Sequence, residues 1–219
     1  MSERSRGRDW IGLVAAVVFV VVVIGVFSYL YRDHSTSPTT AAPGFNLVTK
    51  DSFNRASGPI AYGKNVAAWK SIRGSWSVAA GAAYVSDPAP LVNVVVINAG
   101  PQASVKASVS GMGRCGLVAN FIDENDYLSL VRIEKYGVWR IERHLNGTAE
   151  VVGTVGGSKG VSATASIAVQ APIVTATVGE QHVSVSISDL APGNSAGLYV
   201  ADPNQSECAF DDVVITRPN

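Results

Sequence analysis

Asn120, Arg132, Glu134, Arg140, Glu142 and His144 are the side chains of this sequence best placed to meet a polar ligand together. All six fall in CGLVANFIDENDYLSLVRIEKYGVWRIERHLNG, from Cys115 to Gly147, where strand alternation assigns them to one polar face. An amide, two guanidiniums, two carboxylates and an imidazole can donate and accept hydrogen bonds across such a groove. Glu134 and Glu142 could also act as an acid and a base facing one groove, the arrangement that cleavage of a glycosidic bond requires. Cross-strand ion pairing of these carboxylates with Arg140 and Arg132 is the expected arrangement, so no catalytic residue is assigned. Gly111, Gly113 and Gly116 match Gly-x-Gly-x-x-Gly, but a strand follows where dinucleotide binding needs a helix N-terminus. Gly156, Ser158 and Gly160 match Gly-x-Ser-x-Gly, and VSATASIAV after them reads as another strand rather than the helix of a nucleophile elbow.

Three antiparallel strands joined by two tight turns must position the groove. The first, Gly116 to Ile122, ends in the turn formers Asp123-Glu124-Asn125-Asp126. Along residues 127–134, Tyr127, Val131 and Ile133 share one face, assigned to the core; Leu128, Leu130, Arg132 and Glu134 take the other. After Tyr136-Gly137, Val138, Arg140, Glu142 and His144 alternate with Trp139, Ile141, Arg143 and Leu145, and the second set faces the core. Arg143, near the strand end, can lay its stem on apolar surface and keep its head wet. Asn146-Gly147 is the dipeptide favoured in two-residue hairpin turns.

The 219 residues, 47% of them hydrophobic, suffice for one large β domain with appendages. A formal net charge of zero leaves no field to hold a polyanion, which excludes nucleic acid as a partner. Residues 10–31 carry no charge. At about 1.5 Å per residue they reach about 33 Å, enough to cross a hydrocarbon core of about 30 Å. Arg4, Arg6 and Arg8 precede this run, and Arg32 after it is offset by Asp33, so the N-terminus is expected inside. The expected organisation is a cytoplasmic segment 1–9, a transmembrane helix 10–31, a Ser/Thr/Pro linker 32–44 and an extracytoplasmic domain 45–219. That makes a single-pass protein of the cell membrane. Outside the cytosol Cys115 and Cys208 can persist as a disulfide closing a loop of about 94 residues. No Cys-x-x-Cys occurs, so zinc is not expected.

From Phe45 onward the pattern is β. Leu91 to Ile97 is nearly continuous apolar sequence, expected to be covered on both faces. Val183, Val185 and Ile187 alternate with Ser184, Ser186 and Ser188. Val151 to Gly160 is read as a Gly-rich connection. Several spaced motifs stand in this part of the chain. They are D-x-F-x-R at Asp51, Phe53 and Arg55; G-x-W-x-V at Gly74, Trp76 and Val78, with Gly81 soon after; G-L-V-x-x-F at Gly116 to Phe121; and G-L-Y at Gly197 to Tyr199 with F-D-D-V at Phe210 to Val213. On these motifs residues 45–217 resemble the concanavalin A-like lectin/glucanase superfamily in its laminin-G-like form. The resemblance implies an all-β, two-sheet antiparallel jelly-roll sandwich of about a dozen strands, the first and last side by side.

The resemblance also implies where a ligand would sit. Relatives present polar side chains and aromatic rings on one sheet face to sugars. Here the groove face carries no aromatic, because Tyr127, Trp139 and Trp76 are assigned to the core, so Trp69, Tyr62 and Tyr136 in loops are the candidate platforms. Relatives that hydrolyse polysaccharides carry Glu-x-Asp-x-Glu on one strand, a run this sequence lacks. A structural calcium ion at the rim is implied, with Asp123, Glu124 and Asp126 in one loop, and Asp51 with Asp211 where the end strands meet, as candidate ligands. The expectation is a membrane-anchored, noncatalytic module binding cell-surface or wall glycan. The alternatives are a structural or protein-interaction ectodomain without a sugar ligand, and a glycoside hydrolase with a non-standard carboxylate pair.

Overall fold

A computed structural model describes residues 44–61, 68–133, 137–157, 162–201 and 208–219. The expected span at 10–31 and the segments flanking it as far as residue 43 lie outside the described residues. No helix among the described residues is long and apolar enough to cross a membrane.

Sixteen strands among the described residues form two antiparallel sheets. One has nine strands, in the order β14 (Gln181–Ser186), β13 (Ile173–Val178), β12 (Ser162–Gln170), β7 (Ser104–Ser110), β16 (Ala209–Pro218), β5 (Ala82–Asp87), β4 (Ser75–Ala79) and β2 (Gly58–Pro59), with β1 (Phe45–Asp51) also on β16. The other runs β11 (Thr148–Gly156), β10 (Val138–Leu145), β9 (Tyr127–Ile133), β8 (Arg114–Phe121), β15 (Ser195–Ala201), β6 (Val92–Asn98) and β3 (Lys70–Arg73). The first and last strands pair, Asp51 opposite Val213, as the resemblance implies.

Alternation explains most of these strands. In β12 and β13, Ala165, Ile167, Val169, Val174 and Ala176 are fully buried, while the intervening Ser, Thr and Ala side chains look outward. Strand β6 is buried on both faces, as its nearly continuous apolar run requires. The inner faces of the two sheets meet in one core in which Phe53, Trp139 and Phe210 are fully buried, with Trp76 beside them. Cys115 of β8 and Cys208 just before β16 form the expected disulfide, which joins the two sheets covalently.

Two expectations need correction. Residues 151–156 continue β11 rather than forming a connection. Glycine reads as punctuation, but here it permits close packing: a Cβ on Gly153 would lie 2.9 Å from Val185 Cγ1, and one on Gly157, just past the strand, 2.8 Å from Trp139 Cδ1. The second correction concerns β9. Its alternating sets are as read, but Leu128 and Leu130 enter the core, whereas Tyr127 and Val131 belong to a second apolar cluster on the opposite face. The register with β10 requires this, since Trp139 stands opposite Arg132 and Glu142 opposite Ser129.

Candidate functional site

Strand pairing separates the six groove candidates. Arg140, Glu142 and His144 share the outer face of the seven-stranded sheet with Val131, Ser129 and Tyr127, their partners in register. Arg132 does not join them. It lies on the Trp139 side, is buried, and donates from Nη2 to the carbonyls of Gly111 and Gly113, the latter at 3.2 Å. A guanidinium at a sheet end can cap loop carbonyls, so its presence does not mark the wet face. Asn120 is buried too: its Nδ2 donates to Ala191 O and its Oδ1 accepts the Gly193 N–H, each at 2.8 Å. It ties the loop before β15 to the end of β8. Glu134, Tyr136 and Tyr62 lie outside the described residues.

Aromatic rings, expected to be absent from this face, stand on it. Tyr127 and His144 stack with centroids 4.0 Å apart and planes 14° from parallel. Tyr199 of β15 and Phe121 of β8 stand 6.1 and 5.7 Å from Tyr127, ring centre to ring centre. Ser129 Oγ is 3.3 Å from His144 Nε2, and Glu142 Oε2 is 3.9 Å from the same nitrogen. The partner of Glu142 is Arg114 of β8, at 3.4 Å, rather than Arg132. Arg114 and Tyr199 come from strands distant in sequence, so only the strand order β10-β9-β8-β15 could have revealed them.

The surroundings set the charge states. Burial pushes the Glu142 carboxyl above its ordinary value, against the pull of Arg114 and Arg140. Burial, and then Arg114, lower His144 to about 4, so its imidazole is neutral at physiological pH. Burial also raises both tyrosines, which remain neutral phenols. The face therefore holds, largely buried, hydroxyl groups, a neutral imidazole and an Arg–carboxylate pair beside stacked rings.

These two shifts have opposite signs in stability. His144 is held neutral, so its contribution is complete above about 6.5 and is lost as pH falls through about 4. Glu142 favours its protonated form, so its contribution is complete below about 4.5 and is lost as pH rises through the raised value. Glu142→Gln is expected to leave a domain that loses stability on acidification. The His144 shift caps that loss near about 3 kcal/mol, and solvent screening cuts it to about 1–2. His144→Asn should show the reverse slope. Denaturant midpoints from pH 7 to pH 4 measure both.

Tyr127 and His144 also line a pocket of about 250 Å³ at one end of the sandwich, together with Ile122, Leu145, Asp126 and the Arg143–Asp189 pair. Arg143 engages Asp189 with both terminal nitrogens at 2.9 Å, which is where its head goes after its stem leaves the strand. The loop platform expected of Trp69 is not available. The ring is buried and its Nε1 donates to Asp51 Oδ2 at 2.8 Å.

The proposed calcium ligands are engaged elsewhere. Asp123 Oδ1 accepts the N–H groups of Asn125 and Asp126, Glu124 pairs with Arg73 at 2.6 Å, and Asp126 Oδ1 accepts the Asn146 N–H. Asp51 is occupied by Phe53, Arg55 and Trp69, while Asp211 Oδ1 accepts the N–H of Asp212. Among the described residues no three His, Cys, Asp or Glu side chains converge as metal ligands would.

No protein-family model and no curated protein matches the chain. Solved structures do. The carbohydrate-binding module CBM66 from Bacillus subtilis superposes with a TM-score of 0.59 at 14% identity, covering 70% of this chain and 98% of that one. A Bacillus licheniformis β-glucanase gives 0.50 at 11% identity, over 78% of this chain and 98% of its own. A Bacillus subtilis protein of unknown function with a galectin-like fold gives 0.51 at 10% identity, over 80% and 100%. At such identities the likeness concerns the fold alone, and the neighbours include both a binding module and a hydrolase. From its two antiparallel sheets, its paired end strands and these neighbours, the described chain is a jelly-roll sandwich of the concanavalin A-like, galectin-like kind.

Proposed function

We propose that residues 45–219 form a noncatalytic module that binds a cell-surface or wall polysaccharide, held outside the cell by a membrane span at residues 10–31. The observation that carries the reading is the Tyr127–His144 stack, which lies on the outer sheet face and also lines the end pocket. Where the two rings line that pocket they offer apolar edges to a sugar, while Asp126, Arg143 and Asp189 of the same pocket supply donors and acceptors for its hydroxyls. Binding modules with this fold, such as CBM66, support the reading by analogy.

The test is a glycan array probed with the full chain in lipid nanodiscs. Binding to at least one polysaccharide is expected, weakened about tenfold or more in Tyr127→Ala and in His144→Ala. No binding to any glycan, with or without calcium, would leave the structural or protein-interaction ectodomain as the better reading. A glycoside hydrolase is the second reading, favoured by one feature: a buried carboxyl with a raised pKa, Glu142, is what a general acid requires. Release of reducing sugar that disappears in Glu142→Gln would establish it.

A further inference from the structure

The outer face of the seven-stranded sheet carries more cationic than anionic groups, although the whole chain has no net charge. Arg73, Arg114 and Arg140 stand on it against Glu124 and Glu142. Arg73 is taken up by Glu124. Arg114 reaches Glu142 at 3.4 Å, yet its side chain remains 41% exposed, whereas Glu142 is buried. None of the ion pairs among the described residues reaches Arg140, which is half-buried on the same face. Among these residues one guanidinium therefore forms no ion pair, and a second is shared with a carboxylate that burial disfavours in its charged form.

Register places the two guanidiniums around one patch. Arg140 lies opposite Val131, and Val131 opposite Gly116, so the row between Arg140 and β8 ends on a residue with no side chain. Arg114 is two residues before Gly116 on β8 and so shares its face. Both guanidiniums pull on the Glu142 carboxylate. Gly116 and Val131 between them are buried, and the ring stack lies further along β10, at His144. Four residues at about 3.3 Å each put Arg140 about 13 Å from His144, a span of more than one sugar ring.

Resting on the glycan reading above, we propose that the ligand is an acidic saccharide, one whose sugars carry carboxylates, with Arg140 and Arg114 holding a carboxylate between them. A planar carboxylate matches the guanidinium fork and is bound by two parallel hydrogen bonds, which a neutral hydroxymethyl group at the same position cannot accept.

The experiment uses the full chain in nanodiscs and three probes, oligogalacturonate, oligomannuronate and hyaluronan fragments, each beside its carboxyl-reduced form. At least one acidic probe is expected to bind about tenfold or more tightly than its reduced partner. That ratio should fall to about twofold or less in Arg140→Gln, and only partly in Arg140→Lys, which keeps charge but loses the fork. Arg140 is the primary variant because, among the described residues, its side chain holds no ion pair whose loss could unfold the domain; Arg114→Gln, which strands Glu142, is the confirming one. Reduced probes binding as well as acidic ones, or a preference unchanged by Arg140→Gln, would overturn the proposal while leaving glycan binding intact. Dextran sulfate binding as tightly as the best uronate would also overturn it, because attraction would then follow charge and not carboxylate geometry. Failure of every glycan, neutral and acidic, would remove the underlying reading itself.

Discussion

Replacing Cys115 and Cys208 together by alanine is expected to lower the stability of the sandwich by about 4–5 kcal/mol. The bond joins residues 93 apart in sequence. Closing a loop of that size in the unfolded chain removes entropy worth about 4–5 kcal/mol in the chain-entropy treatment. A domain of ordinary stability, about 5–15 kcal/mol, would lose a third or more of its margin. The location adds to the argument, because Cys115 sits in the seven-stranded sheet and Cys208 leads into the nine-stranded one. Both side chains are buried, so alanine is preferred to serine, which would add the cost of a hydroxyl in the core. Urea unfolding of the variant, and of the wild type in dithiothreitol, should show the same fall in midpoint. The variant should also have a larger m-value, since its unfolded chain is more expanded. A loss below about 1 kcal/mol would mean that the cross-link does not govern the unfolded ensemble.

What the sequence makes legible depends on contrast between the two faces of a strand. Strand β10 is legible to the residue, Val138 to Leu145, because Trp139 and Ile141 alternate with Arg140 and Glu142. Strand β9 has apolar residues on both faces, Tyr127 and Val131 on one and Leu128 and Leu130 on the other, so alternation separates the sets without saying which goes inside. Arg132 then points the wrong way, because a guanidinium on the core side can reach carbonyls at the sheet end. The missing signal is the parity of the β9–β10 connection. Four residues, 134–137, intervene between Ile133 and Val138, and an even loop puts odd-numbered residues of β9 opposite even-numbered ones of β10. With that parity, Tyr127 falls beside His144 and the aromatic stack on this face follows. The disulfide is legible from compartment alone. Arg114 and Tyr199 are not, because nothing local records that β8 lies between β9 and β15.

Asp51→Ala is expected to cost about 3–5 kcal/mol, because this carboxylate organises the D-x-F-x-R segment. Its Oδ1 accepts the Phe53 N–H at 2.9 Å and the Arg55 guanidinium at 2.8 Å, and its Oδ2 accepts Trp69 Nε1 at 2.8 Å. Phe53 has a positive φ of 51°, uncommon for a residue with a side chain, and the bond from its N–H to Asp51 helps to hold it there. Arg55 also lies 5.1 Å over the Phe53 ring and donates to Ile60 O, so the motif closes on itself around one buried acceptor. Alanine leaves a half-buried cation and a buried indole N–H without a partner, the two costliest defects available at this site. Substitution by asparagine keeps one acceptor but loses the charge, so Asp51→Asn should cost about half as much. Denaturant midpoints and the emission of Trp69, which should shift red as the ring loosens, measure both variants. Calcium titration separates this role from the rim-ion reading: a wild-type midpoint that rises with calcium, and rises no longer in Asp51→Asn, would restore Asp51 as a ligand.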